Sequence, residues 1–173
     1  MPASYQPYTR DDDGHEPTRS QSVETNTSSL RSTVSHVLEH KGGEIFWIQP
    51  DDTIAHAVTV LRDHDIGALP VKSPQGDLVG ILSERDIVRR LADTPGQTLP
   101  QTVADLMTPD PDTCTTDETL VKVLRRMTDG RFRHMPVTEN GAIIGMISIG
   151  DVVNYRLQAL EYEALQIKQL IVG

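Results

Sequence analysis

The segment LVGILSERDIV (residues 78–88) is answered 65 positions later by IIGMISIGDVV (143–153). Each begins with an apolar run broken by one glycine and reads as a strand. Each continues into Ser, two further residues and Asp. A hydroxyl followed three residues on by an acid is how a helix start is written. A strand-to-helix junction spelled twice at a fixed distance marks a duplicated unit.

Working outward, the correspondence continues. ALPV (68–71) matches HMPV (134–137), and DDTIAHAVTVL (51–61) matches DETLVKVLRRM (117–127), both at an offset of 66. TVSHVL (33–38) matches TVADLM (102–107) at 69. The offset falls by three because of extra residues around Lys41-Gly42-Gly43, and by one more because the first hairpin turn, KSPQGD, is longer. Insertions confined to loops are what a duplicated fold tolerates. Each copy predicts a short strand (45–48; 112–115), an acidic approach to a helix, two strands (68–72 and 78–82; 134–138 and 143–147) and a second helix. The first helix should bury Ile54, Ala57, Val58 and Leu61 in one copy and Leu120, Val123, Leu124 and Met127 in the other, at i, i+3, i+4, i+7 spacing. The expected fold is α/β (α+β): two β-α-β-β-α units packed as a pseudo-twofold module, with a long C-terminal helix. One unit of about 60 residues buries little core alone, so the two should fold together.

The boundaries follow: a disordered tail (1–32) with few aliphatic residues, unit one (33–95), unit two (96–157) and a helical extension (158–173). The 173 residues carry formal charge −9, which argues against a nucleic-acid backbone as partner. No apolar run is long enough for a membrane helix, and no secretory or transit signal is visible at the N-terminus. With the lone Cys114, the expectation is a cytoplasmic protein without disulfides.

The paired units resemble tandem CBS domains, named for cystathionine β-synthase, over roughly residues 33–173. The resemblance rests on the duplication, the LPV and MPV strand openings, and the segments GILSERD (80–86) and GMISIGD (145–151). It implies a non-enzymatic module that binds an adenosine-containing ligand such as AMP, ADP, ATP, NAD or S-adenosylmethionine. It also implies a homodimer, and a regulated partner protein whose identity the sequence leaves unknown.

Ser148 and Asp151 are the first site candidates. Both suit a helix cap, and the same geometry suits a ligand: free N–H groups favour phosphate, and a carboxylate accepts from a ribose diol. The resemblance gives Asp151 the ribose and sets Ser148 near phosphate. RFRH (131–134) stands at the mouth of the same expected cleft, where Arg131, Arg133 and His134 could grip phosphate. The alternative is that the arginines are solvated or pair with Asp129 and Glu139. In a regular strand Arg133 and His134 would face opposite ways, so either the segment is irregular or only one is a main contact. Met135 and Pro136 continue the lining. Thr113, Cys114 and Thr115 are small, leaving room for an adenine against the backbone, which is how the family commonly reads the base. Copy one has bulky Phe46 and Trp47 there, and DIGALPV in place of the cations. It keeps Ser83 and Asp86 and adds Arg85 and Lys41, a possible second site. The main site is therefore expected in copy two.

Cys114 has no His or Lys nearby to activate it. His36 and His40 lie four apart, but two ligands without a third do not make a metal site, and none is expected. In the last helix Val153, Leu157, Leu160, Ala164, Ile167 and Ile171 follow a 4-3-4-3-4 seam. Such a seam suits another helix, so it is read as a dimer contact. The competing readings are a ligand-free dimeric scaffold and a nucleotide-processing enzyme. The second is disfavoured by the lack of a nucleophile–base pair or phosphate-cradling glycine loop.

Overall fold

The computed structural model describes residues 32–42 and 44–172. The expected tail lies outside them except for Ser32. The elements in chain order are α1 (Val34–Lys41), α2 (Ile54–Asp63), β1 (Ala68–Lys72), β2 (Leu78–Ser83), α3 (Glu84–Asp93), α4 (Val103–Leu106), β3 (Thr108–Pro109), α5 (Leu120–Gly130), β4 (His134–Glu139), β5 (Ala142–Ser148) and α6 (Ile149–Val172).

Both hairpins form where alternation and the turn residues place them. β1 pairs antiparallel with β2, and β4 with β5, each with one register shift just after the central valine, Val71 or Val137. The expected strands at 45–48 and 112–115 are reduced to single parallel bridges, Ile48 to Val71 and Cys114 to Val137. Pro50, Pro109 and Pro111 flank these segments and have no N–H to extend a ladder. Pro109 also explains why α4 stops after one turn while its counterpart α1 runs for two, since the residue before a proline avoids helical backbone. The freed Thr108-Pro109 adds to β2 as a third strand.

Threonines cap α2 and α5: Thr53 accepts from the His56 N–H and Thr119 from the Lys122 N–H. Ile54, Ala57 and Leu61 are buried as expected, as are Leu120, Val123 and Met127. Val58 is a correction, with 38% of its surface exposed at the edge of the apolar stripe. Leu124 packs only partly against the core.

Two apolar cores result, and they trade their leading helices. Val34 and Val37 of α1 pack with Cys114, Leu120, Val123, Met135 and Ile147 of the second repeat. Val103 and Leu106 of α4 pack with Ile48, Ile54, Leu69 and Leu82 of the first. The backbone secures both crossings alike. Thr33 bridges Thr119, with Val34 N–H on the Glu118 carbonyl (3.0 Å) and Leu120 N–H on that of Ser32 (2.9 Å). Thr102 bridges Thr53, with Ile54 N–H on the Gln101 carbonyl (2.9 Å) and Val103 N–H on that of Asp52 (2.8 Å). The repeat in the sequence and the packing unit in space therefore divide the chain differently.

The glycines of β2 and β5 admit these visitors. A Cβ on Gly80 would stand 2.5 Å from Met107 Sδ, and one on Gly145 would stand 2.8 Å from Leu38 Cδ2. At Gly80 the Thr108 carbonyl would also stand 3.2 Å away, so a side chain there would press on the crossing backbone, whereas at Gly145 it would displace the Leu38 side chain.

Candidate functional site

Each repeat ends its hairpin in a reciprocal cap. Ser83 N–H donates to Asp86 Oδ2 at 3.0 Å while the Ser83 hydroxyl oxygen accepts from Asp86 N–H at 3.4 Å. Ser148 N–H donates to Asp151 Oδ2 at 2.8 Å, and Ser148 Oγ accepts from Asp151 N–H at 3.1 Å. The first helical N–H is also used alike, Glu84 on the Gly67 carbonyl (3.0 Å) and Ile149 on that of Arg133 (2.9 Å). What differs is what lies around each cap.

Around Ser83 and Asp86 opens a cleft of about 320 Å³, lined by Gly67, Ile81, Glu84, Arg85, Arg89, Thr108, Pro111 and Asp112 from one side and by residues 130–134 from the other. The RFRH cluster thus faces the first repeat's cap, not the second's as the sequence suggested. The cause is visible in the chain. Arg131 ends α5 in the left-handed region (φ 57°), so the segment is irregular until β4 starts at His134. Arg131, Arg133 and His134 consequently line one cleft together. The guanidinium groups of Arg89, Arg131 and Arg133 form no hydrogen bond or ion pair with a described residue, and Arg85 donates only to the Arg131 carbonyl (3.2 Å). Asp112, the nearest acid opposite, is held by Arg126, which also donates to Glu118 and to the Thr113 carbonyl at 2.7 Å. Four arginines therefore face Glu84 and Asp86 in a chain whose net charge is −9. Sequence reasoning missed Arg89, Pro111 and Thr108; Arg89 follows Asp86 by three and shares its helix face.

Asp151 sits in a second, smaller cleft of about 210 Å³ with Val37, His40, Lys41, Asn154, Tyr155 and Gln158. Lys41, expected beside Ser83, Arg85 and Asp86, instead reaches Asp151 Oδ2 at 2.7 Å, because α1 crosses to the second core. Burial pushes the Asp151 carboxyl up, but the Lys41 ammonium and the Ser148 N–H outweigh it and hold it below the usual carboxylate range. His40 and His36 both lie against the Tyr155 ring, at 6.3 and 6.2 Å between centroids.

The expected base-reading residues divide. Cys114 lies in the core, 1% exposed, and burial pushes its thiol up to about 12. It lines neither cleft, because its strand position alternates inward beside Val137. Met135 is buried in the same core, and Pro136 takes the Cys114 N–H on its carbonyl (3.0 Å). Thr113 offers its carbonyl to Arg126, and Thr115 bonds Asp117. On the other repeat, Phe46 stacks on His64 at 3.5 Å and Trp47 lies under the Lys72 ammonium.

Among the described residues no helix is long and apolar enough to cross a membrane, and no group of three His, Cys, Asp or Glu is placed to hold a metal ion.

The CBS domain model matches residues 34–93 and 103–158. The chain is 38% identical over 130 residues to the mitochondrial CBS domain-containing protein CBSX3 of Arabidopsis thaliana, covering 70% of this chain and 63% of that protein, so it spans somewhat under two thirds of that relative's length. The crystal structure of the CBS-domain containing protein ATU1752 from Agrobacterium tumefaciens superposes with a TM-score of 0.71 at 39% identity, over 73% of this chain and 95% of that one. CBSX2 in complex with AMP superposes with a TM-score of 0.60 at 27% identity, over 73% and 97% of the two chains. The CBS domain pair of MJ0100, in complex with 5′-methylthioadenosine and S-adenosyl-L-methionine, does so at 0.64 and 25%, over 72% and 94%. The chain belongs to the CBS-domain family as a tandem pair.

Proposed function

We propose that the chain is a sensor module that binds one adenosine-containing ligand bearing a 5′-phosphate in the cleft at Asp86. The observation that carries this reading is the meeting of Arg89, Arg131 and Arg133, whose guanidinium groups pair with no described residue, with the Ser83–Asp86 cap in one cleft. Asp86 Oδ2 is taken by Ser83, while Oδ1 accepts from no described residue and is available to a ribose diol. The planar guanidinium forks, with His134 beside them, suit phosphate oxygens. A volume of about 320 Å³ lies at the small end of ligand pockets, in keeping with a mononucleotide. Charge-assisted bonds at about 1.5–3 kcal/mol each need only be a few in number to reach micromolar affinity, about −8 kcal/mol. AMP, ADP, ATP and NAD all carry the required group. Because the cleft is walled by both repeats, an occupant would favour one relative setting of the two and so alter the surface offered to a regulated protein.

The reading includes a homodimer through α6, whose Leu157, Leu160 and Ile167 are exposed on the single chain. That face is also what favours the second reading, a ligand-free dimeric scaffold. The proposal further includes cytoplasmic residence, supported by the one buried free cysteine; the similar Arabidopsis protein carries a mitochondrial name, and cell fractionation decides between them.

The test is the thermal midpoint with AMP, ADP, ATP, NAD, S-adenosylmethionine and 5′-methylthioadenosine. At a hundredfold excess over Kd a specific ligand adds about 2.7 kcal/mol. Phosphate-bearing ligands should raise the midpoint of the wild type and of Asp151→Ala, but not of Asp86→Ala. A response that survives Asp86→Ala and disappears in Asp151→Ala moves the site to the second cleft. No response to any ligand leaves the scaffold.

A further inference from the structure

The two clefts start from the same cap and differ in what reaches the carboxylate. Among the described residues Asp86 Oδ2 takes only Ser83, through its N–H (3.0 Å) and hydroxyl (2.5 Å). Asp151 Oδ2 takes the Ser148 N–H (2.8 Å) and the ammonium of Lys41 (2.7 Å), and the same ammonium donates to the Met146 carbonyl at 3.2 Å. Lys41 is the last residue of α1, the helix that crosses from the first repeat. The second lead-in, residues 102–114, contains no lysine or arginine and has aspartates at 110 and 112. A carboxylate there has no proton to donate to Asp86.

We propose that Lys41 is a tethered competitor for ribose, closing the Asp151 cleft to adenosine-containing ligands and limiting the chain to one ligand, bound at Asp86. The inference rests on the adenosine reading above and assigns the selectivity between its two clefts to one side chain. A ribose diol would have to displace an ammonium already bonded to both Asp151 and Met146. That ammonium is held on the same chain, so it competes at a high effective concentration that a free ligand must exceed. The pair is only partly open to water, with side-chain exposures of 41% for Lys41 and 22% for Asp151, so solvent does not fully screen it. The position is fixed as well as the charge: the helix ends at Lys41, with Gly42 N–H returning to the Leu38 carbonyl. The space left, about 210 Å³, falls below the roughly 300 Å³ where ligand pockets begin. No other ligand is required to explain the arrangement.

Isothermal titration of the full chain with AMP tests this through stoichiometry. Wild type, Lys41→Met and Lys41→Gln are each titrated with and without Asp151→Asn. The wild type should bind one AMP per chain, and Asp151→Asn should not change that. Each lysine variant should gain one further site, which Asp151→Asn removes again. If the Asp86 reading alone is wrong, the wild type binds none while the lysine variants still gain one site dependent on Asp151, and the assignment of Lys41 stands. It is overturned if neither lysine variant gains a site, or if the wild-type site is itself lost on Asp151→Asn. The second criterion needs only the intact lysine, so it holds even if the lysine variants fold poorly.

Discussion

His134 lines the Asp86 cleft, and the charges of Lys41 and Asp151 at the other cleft also act on its titration. Its ring lies 3.1 to 3.2 Å from where a Cβ on Gly67 would be, with the Glu84 carboxylate nearby. Burial lowers its pKa below the usual 6.5, the Lys41 and Arg133 charges lower it further, and Asp151 acts in the opposite direction. The folded state therefore prefers the neutral ring. That contribution to stability is complete above the unfolded value and is lost as pH falls from about 6.5 through the folded pKa. Asp151, also lowered, loses its contribution at more acidic pH, below about 3.9. Thermal midpoints measured between pH 7 and 5 should fall in the wild type and fall less in His134→Gln. An equal fall in both would show that another group titrates. Cys114 gives a second expectation at this scale. A thiol pushed up to about 12 and buried in the core is almost wholly protonated at neutral pH. Reaction with a disulfide reagent should therefore follow global unfolding and show no fast phase in the native protein.

Single elements show which parts of the molecule could be read from the chain. The hairpins, the caps at Ser83 and Ser148, and the inward faces of α2 and α5 follow from local periodicity and were legible. The exchange of α1 and α4 was not, because an apolar stripe such as Val34 and Val37 says which face is buried but not against which repeat. Everything misplaced at the site descends from that crossing or from the irregular chain at Arg131: Lys41 moved to Asp151, and the arginines to Asp86. Cys114 was misread for another reason, since small size serves a tight core as well as a ligand cleft. The C-terminal helix was legible in length and pattern. Its seam residues Val153, Leu157, Leu160, Ile167 and Ile171 are all exposed on the single chain, which leaves them available to a second copy. Leu157→Glu together with Ile167→Glu should shift the mass seen by light scattering from dimer to monomer without loss of helical circular dichroism. A wild type that is monomeric at all concentrations removes the dimer from the proposed function.

At the scale of the whole molecule, the exchange makes each core depend on the other repeat. The first core holds Val103 and Leu106, and the second holds Val34 and Val37. Each core lacks buried residues while the opposite lead-in is undocked, and a repeat of about 60 residues is marginal by itself. The expectation is one cooperative transition, as small domains of this size usually show. Leu82 is fully buried in the first core, and Cys114 is buried in the second. Truncating Leu82 to Ala should cost about 2–5 kcal/mol through lost transfer energy and the cavity left behind. If the cores unfold together, guanidinium titration followed by Cys114 labelling should report that whole loss, although the substitution lies in the other core. Tryptophan fluorescence from Trp47, in the first repeat, should give the same midpoint. If Cys114 stays protected to the wild-type midpoint while Trp47 responds earlier, the lead-in helices decorate two independent units and do not couple them. A ligand in the cleft would then have no cooperative path from one repeat to the other.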